Sequence, residues 1–194
     1  MKQLKLMNDV ELKNLSCEIR EQIIDVVSKN GGHLSSNLGV VELVVALHKV
    51  FDTPNDQIIF DVSHQTYAHK ILTGRKEQFE NLRKFNGVSG FAKPSESEFD
   101  LFSNGHSSTA VSLAIGTAIA NKEFGLKKEV IAVVGDASAT NGLTLEALNY
   151  LGEHKEIKVI IIINDNDMSV SPNVGALAKT FNKIRVKRKK SFFY

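Results

Sequence analysis

The sequence predicts an α/β fold with a doubly wound, mainly parallel β-sheet and helices on both of its faces. Apolar residues recur at helical spacing in some segments, and short β-branched runs stand between them. The two kinds of segment alternate with short turns, an order that is typical of right-handed β-α-β units. Because 42% of the 194 residues are hydrophobic, the chain can bury a sizeable core. One large domain over residues 1–180 is expected.

The first two predicted elements are helices. Asn8 and Glu11 have the spacing of a capping box, and Gly31 lies beyond the predicted end of the first helix. Apolar residues at steps of three and four mark its buried stripe: Leu12, Leu15, Ile19, Ile23, Val26 and Val27. A second helix is predicted over residues 40–51.

The remaining elements alternate between strands and helices. A strand over residues 57–62 precedes a helical stretch that breaks at Gly74. Residues 86–104 are rich in Gly, Pro and Ser and predict an irregular surface segment, and so long a loop is usually functional. The elements that follow are a helix over 107–124, a strand over 129–134, a helix over 143–152 and a strand over 159–163. The uninterrupted Val and Ile residues of the last strand predict a central strand covered on both faces.

Charge and cysteine content bear on the class of protein. The net charge of +2 gives no reason to expect a nucleic-acid partner. Cys17 is the only cysteine in the sequence, which excludes an intramolecular disulfide and a cysteine-based zinc site and favours a reducing compartment. No signal-peptide pattern opens the sequence, and its longest apolar run is far too short to cross a bilayer. We therefore expect a cytoplasmic protein without a membrane partner.

Basic residues concentrate at the end of the sequence. Arg185 and four further Lys and Arg residues precede three aromatic residues there. We expect residues 181–194 to form a solvated linker. A tail that binds nucleic acid or a membrane surface is the alternative.

Polar residues follow three of the predicted strands, in residues 61–64, 135–138 and 164–168. In parallel sheets a ligand lies beyond the carboxyl ends of the strands. Carboxylate and amide oxygens suit magnesium, and the N-termini of the following helices favour phosphate. We therefore predict a site for a diphosphate–metal complex, although each motif alone is often only a turn or a helix entry.

Four motifs together resemble the successive signatures of the 1-deoxy-D-xylulose-5-phosphate synthase family. They are Gly31-Gly32-His33, residues 61–65 (DVSHQ), residues 105–109 (GHSST) and residues 164–177 (NDNDMSVSPNVGAL). Transketolase shares the Gly-Gly-His and Gly-Asp elements, but the last two motifs are far closer to the synthase. The resemblance implies the thiamine-diphosphate-binding fold.

The resemblance also implies a role for each matching residue. The implied metal ligands are Asp136, the side chain of Asn166 and the backbone carbonyl of Met168. The implied cofactor contacts are His64, Gly105, His106, Ser107, Ala137, Ser138 and Asn166. His33 and His64 would face the reacting carbon, where they would donate hydrogen bonds or move protons. On a purely structural interpretation, His106 merely precedes a helix that Ser107 or Ser108 caps.

The implied reaction condenses pyruvate with glyceraldehyde 3-phosphate, with release of CO2, and leads to isoprenoid precursors and thiamine. The implied cofactors are thiamine diphosphate and Mg²⁺, and the implied assembly is a homodimer. In this family the glutamate that activates the cofactor lies in a later domain, so we expect the chain alone to be inactive. An N-terminal subunit of a transketolase-like enzyme and a degenerate, non-catalytic binding module are the alternatives.

The sequence departs from the family pattern at three positions. Ala137 and Ser63 replace glycines, and Pro94 replaces an arginine. At position 137 the backbone normally approaches the diphosphate closely, so the added methyl group is expected to weaken cofactor binding without abolishing it. His48, His69 and His154 match no feature with an assignable chemistry, and a structural role is expected for them.

Overall fold

Three parallel strands form the sheet within the described part of the chain. The computed structural model describes residues 2–165 and, after them, residues 175–176, 179–180 and 183. The strands are β1 (Gln57–Phe60), β2 (Val130–Gly135) and β3 (Ile160–Asn164), in the order β1-β2-β3. Of the predicted linker, residues 181–194, only residue 183 is among the described residues, so the predicted domain boundary after residue 180 stays a prediction.

Helices flank the sheet. The α-helices are α1 (Lys2–Leu6), α2 (Asp9–Asn30), α3 (Leu34–Leu38), α4 (Val41–Val50), α5 (Tyr67–Lys70), α6 (Ala110–Glu123), α7 (Asp136–Ala139) and α8 (Gly142–Glu153). A π-helical turn (Ile71–Arg75) and a 3-10 turn (Gln78–Asn81) follow α5. The predicted break lies at Gly74, whose φ is 90°. None of the helices in the described residues is long and apolar enough to cross a membrane.

Both ends of α2 follow the prediction. Asn8 Oδ1 accepts the N–H groups of Val10 and Glu11, and the Glu11 side chain accepts the N–H of Asn8. This is a complete capping box. Gly31 ends the helix with a φ of 73°, in the left-handed region that glycine adopts without strain.

Side chains of the strands point alternately into two cores. Ile58 and Phe60 of β1 pack with α2, α4 and α5, whereas Ile59 packs with α6. Because successive residues of a strand face opposite sides of the sheet, each face needs its own helical layer. The predicted α/β class, a parallel sheet between helices, is confirmed.

The predicted position of the last strand is wrong for the described residues. β2 lies between the other two strands and is almost completely buried, whereas β3 lies at the edge of the described sheet. Ile160 and Ile163 are 37% and 40% exposed. A run of Val and Ile residues predicts a buried strand, but it does not indicate which neighbouring elements cover that strand.

Buried charges anchor the irregular segment of residues 86–104. The carboxylate of Asp100 accepts hydrogen bonds from the Arg75 guanidinium at 2.7 and 2.9 Å, and from the Lys93 N–H at 2.8 Å. The buried ammonium group of Lys70 lies 2.8 Å from a carboxylate oxygen of Glu96. Two acidic and two basic side chains therefore balance each other, as a buried cluster of charges requires.

The sequence predicts this segment correctly as irregular but wrongly as lying entirely on the surface. Val88 and Asp100 are 5% and 4% exposed. Gly, Pro and Ser residues identify a loop, but they do not reveal that an ion cluster holds it against the core.

A chain of buried hydrogen bonds continues from Asp100. Because the ionised carboxylate can only accept, His69 donates its Nε2–H to it at 3.1 Å. His69 Nδ1 then accepts from His48 Nε2 at 2.9 Å, and His48 Nδ1 accepts from the Thr53 hydroxyl at 3.0 Å. Each ring carries one proton and is neutral. Burial lowers the pKa of His48 to about 2 and also lowers that of His69, although Asp100 opposes the latter shift.

His48 therefore makes the stability of the protein depend on pH. Its folded pKa lies below the ordinary value of 6.5, so below pH 6.5 the unfolded chain binds a proton that the folded protein does not bind. This difference is absent above pH 6.5 and lowers the free energy of unfolding by about 1.4 kcal/mol per pH unit as the pH falls. We predict that His48→Gln removes this part of the slope in urea unfolding curves between about pH 6 and pH 4. A parallel loss of stability in both proteins would contradict the prediction.

Candidate functional site

A cavity of about 530 Å³ lies at the carboxyl ends of the strands. Its lining comes from residues 32–36, from Val62, His64 and Gln65 after β1, from residues 135–138 after β2, and from Asn164 at the end of β3. The position predicted from the strand ends is therefore confirmed as the position of a cavity. The cavity lining also includes residues to which the sequence analysis assigned no role, namely Gly32, Leu34, Ser35, Ser36 and Gln65.

Asp61 connects the end of β1 to the start of α6. Its carboxylate is 1% exposed and accepts three backbone N–H groups, from Ser108 at 2.8 Å, Thr109 at 2.9 Å and Ala110 at 3.1 Å. These N–H groups have no partner inside the helix that they begin. Asp61 is not among the residues that line the cavity, and both of its carboxylate oxygens accept these N–H groups.

The N-terminus of α6 is not capped by Ser107 or Ser108, as the purely structural interpretation of its sequence expects. The helix begins at Ala110, and Thr109 at its N-cap makes no side-chain capping bond. Asp61, far away in the sequence, supplies the cap instead of Ser107 or Ser108. A carboxylate also suits the positive end of the helix dipole.

His33 and His64 lie side by side in the cavity lining. Their ring centroids are 5.2 Å apart with the rings edge to face, and Phe91 contacts the His33 ring at 5.6 Å. Gly32 before His33 leaves no room for a side chain, because a β-carbon there would lie 2.8 Å from the Tyr67 hydroxyl oxygen. The structure thus brings together the two histidines that the sequence singled out.

Both histidines are neutral at pH 7. Burial lowers the pKa of His33, and the Arg83 cation lowers it further. Burial also lowers the pKa of His64, with a further contribution from His33, while Asp61 opposes the shift. A neutral imidazole can donate one hydrogen bond and accept another, which suits proton transfer.

Asp136, Ala137 and Ser138 lie in the cavity lining, within the short helix α7. Ala137 is exposed and is not among the described residues with positive φ, so the added methyl group causes no backbone strain there. The Asp136 carboxylate accepts the Ala137 N–H at 2.9 Å. Gly135 pairs with Asn164 across the sheet, so Asp136 and the segment after β3 start from adjacent strand ends.

The predicted metal site is only partly within the described residues. Asn166 and Met168 lie outside them. Among the described residues, no group of three His, Cys, Asp or Glu side chains could hold a metal ion. The assignment of Asp136, Asn166 and Met168 as ligands therefore stays a prediction.

The predicted thiamine-lining residues form a turn and are not part of the cavity lining. They are Gly105, His106 and Ser107, and all three are exposed. The Asn104 side chain accepts the N–H groups of the first two at 2.9 and 3.2 Å, which fixes the turn. The hydroxyl of Ser108 donates to the Ser138 carbonyl at 3.3 Å and connects this turn to α7.

Ser63 connects the strand end that carries His64 to the irregular segment. It is completely buried, its φ is 66°, and the glycine of the family pattern would adopt this backbone without strain. Its hydroxyl accepts the Ala92 N–H at 3.0 Å and donates to the Asn104 carbonyl at 2.9 Å. These two bonds offset the strain. Pro94, the other departure on this segment, is exposed and lies outside the cavity lining.

Comparison with solved structures defines the class of fold. A transketolase from Leishmania mexicana matches with a TM-score of 0.76 and 17% identity, over 89% of this chain and 30% of that chain. A transketolase mutant from Pichia stipitis matches with a TM-score of 0.73 and 20% identity, over 84% of this chain and 28% of that chain. The chain has a transketolase-like fold.

Comparison of sequences defines the family. The family model for 1-deoxy-D-xylulose-5-phosphate synthase matches residues 1–193. The synthase of Clostridium acetobutylicum is 55% identical over 94% of this chain and 29% of its own length, and that of Carboxydothermus hydrogenoformans is 53% identical over 97% and 30%. The chain belongs to the 1-deoxy-D-xylulose-5-phosphate synthase family and corresponds to its N-terminal part. It spans about three tenths of the length of these relatives.

Proposed function

We propose that this chain builds the magnesium and diphosphate half of the thiamine-diphosphate site of a 1-deoxy-D-xylulose-5-phosphate synthase. The observation that supports this most directly is that His33, His64 and Asp136 line one cavity at the carboxyl ends of the strands. Its volume of about 530 Å³ lies within the range of small-molecule sites, about 300–1,000 Å³. A transferase in isoprenoid precursor and thiamine biosynthesis is the corresponding biological role.

Asp136 is the proposed magnesium ligand within the described residues. One carboxylate with amide and carbonyl oxygens is a donor set that suits Mg²⁺, which fills its other positions with phosphate oxygens and water. We assign the remaining protein ligands to the side chain of Asn166 and the backbone carbonyl of Met168. Asp136 and Asn164, two residues before Asn166 in the sequence, lie at adjacent strand ends, which supports this set.

When bound, thiamine diphosphate supplies the carbanion chemistry that joins pyruvate to glyceraldehyde 3-phosphate with release of CO2. The protein binds and orients the reactants. Ala137 and Ser138, together with Asn166, are the proposed diphosphate contacts. The exposed turn of Gly105, His106 and Ser107 is the proposed contact for thiamine.

His33 and His64 are the proposed proton carriers and hydrogen-bond donors. The Nδ1 atom of each ring is buried and has no hydrogen-bond partner among the described residues. Because an N–H group is rarely left unpaired in a protein interior, we place the single proton of each neutral ring on Nε2. The Nε2–H groups would then donate to the oxygens of pyruvate and of the aldehyde.

The proposal extends to the substrates, assembly and location of the complete enzyme. Its substrates are pyruvate and glyceraldehyde 3-phosphate, its assembly is a homodimer, and its location is cytoplasmic. An N-terminal subunit of a transketolase-like enzyme would bind the same cofactor, whereas a degenerate module would not.

Calorimetric titration of this chain with thiamine diphosphate, with and without Mg²⁺, tests the proposal. We expect binding that requires Mg²⁺, and we expect Asp136→Asn to weaken it by about tenfold or more because the variant loses an anionic metal ligand. The matched control is Asp52→Asn, which removes an exposed carboxylate before β1, at the opposite end of the sheet. The control should bind like the wild type. Absence of Mg²⁺-dependent binding in the wild type would contradict the proposal and favour the degenerate module.

The variant Ala137→Gly measures how alanine, in place of the glycine of the family pattern, affects cofactor binding at position 137. Since Ala137 lies in a helical turn, relief of strain is not expected, and the remaining effect is the contact of its methyl group with the diphosphate. We predict that the variant binds thiamine diphosphate more tightly, by up to about tenfold, in the same titration. An unchanged affinity would show that the methyl group does not hinder the cofactor.

A further inference from the structure

The side chain of Asn37 joins the two segments that carry His33 and His64. It is completely buried in α3, and its Nδ2 group donates to the His33 carbonyl at 2.7 Å and to the His64 carbonyl at 2.8 Å. Its Oδ1 atom accepts the Tyr67 N–H at 2.9 Å, at the start of α5. Both amide hydrogens and the amide oxygen are thus engaged, each with backbone.

The partners determine the orientation of this amide. Two backbone carbonyls can only accept and the Tyr67 N–H can only donate, so the flipped amide would lose all three hydrogen bonds. Asn37 therefore forms a directional link to His64, which lies 27 residues further along the chain.

Few other contacts fix the histidine rings. The Nδ1 atoms of His33 and His64 have no partner among the residues that the structure describes. The backbone N–H of His33 donates to the Tyr67 hydroxyl at 3.3 Å, and this hydrogen bond is longer than those made by Asn37. The position of each ring thus depends on where its backbone lies, on the packing of the two rings against each other and, for His33, on the contact with Phe91.

We propose that Asn37 is a positioning residue that sets the separation of the His33 and His64 rings by holding both backbone carbonyls on one buried side chain. Its functional meaning rests on the proposed role of the two histidines. A displacement of about 1 Å in a catalytic group can lower a rate about 100-fold, so a link that fixes this separation has a direct consequence for catalysis.

The test is proton NMR on the 194-residue chain, with nuclear Overhauser contacts between histidine ring protons as the readout. Asn37→Leu keeps most of the side-chain volume and removes all three hydrogen bonds. We expect this variant to lose the contact between His33 and His64 while it keeps the contact between His48 and His69, whose rings stack at 5.0 Å in the core. An Asn37→Leu protein that keeps both contacts would overturn the proposal.

Asn121→Leu is the matched control. Asn121 is also a buried asparagine, and its Nδ2 donates to the Gln57 side chain at 2.7 Å, at the opposite end of β1. Its replacement removes a buried amide far from the carboxyl ends of the strands. We expect the contact between His33 and His64 to persist in this variant, and its loss would show that any buried asparagine has this effect and would overturn the proposal.

Hydrogen exchange in the wild type tests the link even if Asn37→Leu does not fold. We expect the Asn37 side-chain amide to exchange about tenfold or more slowly than that of the exposed Asn14, because exchange must first break its hydrogen bonds. Exchange at the rate of Asn14 would overturn the proposal. Neither measurement uses cofactor or metal, so absence of thiamine diphosphate binding would refute the proposed function and leave this inference standing.

Discussion

The buried carboxylate of Asp61 is the interaction on which the rest of the site depends. It accepts three N–H groups at the start of α6 within 3.1 Å, while the Asp61 N–H extends the pairing of β1 with β2 by a bond to the Val133 carbonyl. One anion therefore fixes the end of a strand, the start of a helix and the turn between Asn104 and that helix. A charge is stable in so buried a place because hydrogen bonds and the helix dipole compensate for its lost hydration.

The other parts of the site build outward from this fixed point. Directly after Asp61 the backbone is left-handed at Val62 and Ser63, with φ values of 57° and 66°, and this conformation turns His64 into the cavity lining. Such a conformation is unfavourable for a β-branched residue and persists only where its surroundings hold it. Ser63 and Asn37 provide that restraint through their hydrogen bonds. The ion cluster around Asp100 holds the segment that brings Phe91 onto His33.

The sequence predicts the fold well because the information that defines it is local. Helical periodicity, a capping box and β-branched runs each lie within a few residues, so the long helices and the three strands are predicted to within a few residues of their bounds. The helices α1, α3 and α7 have only four or five residues, too few to show a period. The edge position of β3 depends on its neighbours, which its own residues do not specify.

Sequence patterns alone predict a functional side chain only where its position at the end of a strand is sufficient to place it at the cavity. The sequence placed His64 and Asp136 at strand ends that share one edge, and both residues line the cavity. His33 lies before α3 and not at a strand end, so only the family resemblance pointed to it. It could not show that Asp61 meets a helix start 47 residues away rather than a metal ion, because both partners suit a carboxylate. Asn37 could have been found from the sequence, because it lies one helical turn after His33 and can therefore contact that residue.

The central claim is that Asp61 organises the site, and Asp61→Asn tests it most directly, since the nearly isosteric amide turns its NH2 toward backbone donors. The claim predicts a loss of about 2–4 kcal/mol in the free energy of unfolding by urea and loss of the ring contact between His33 and His64. Wild-type stability with that contact intact would contradict it.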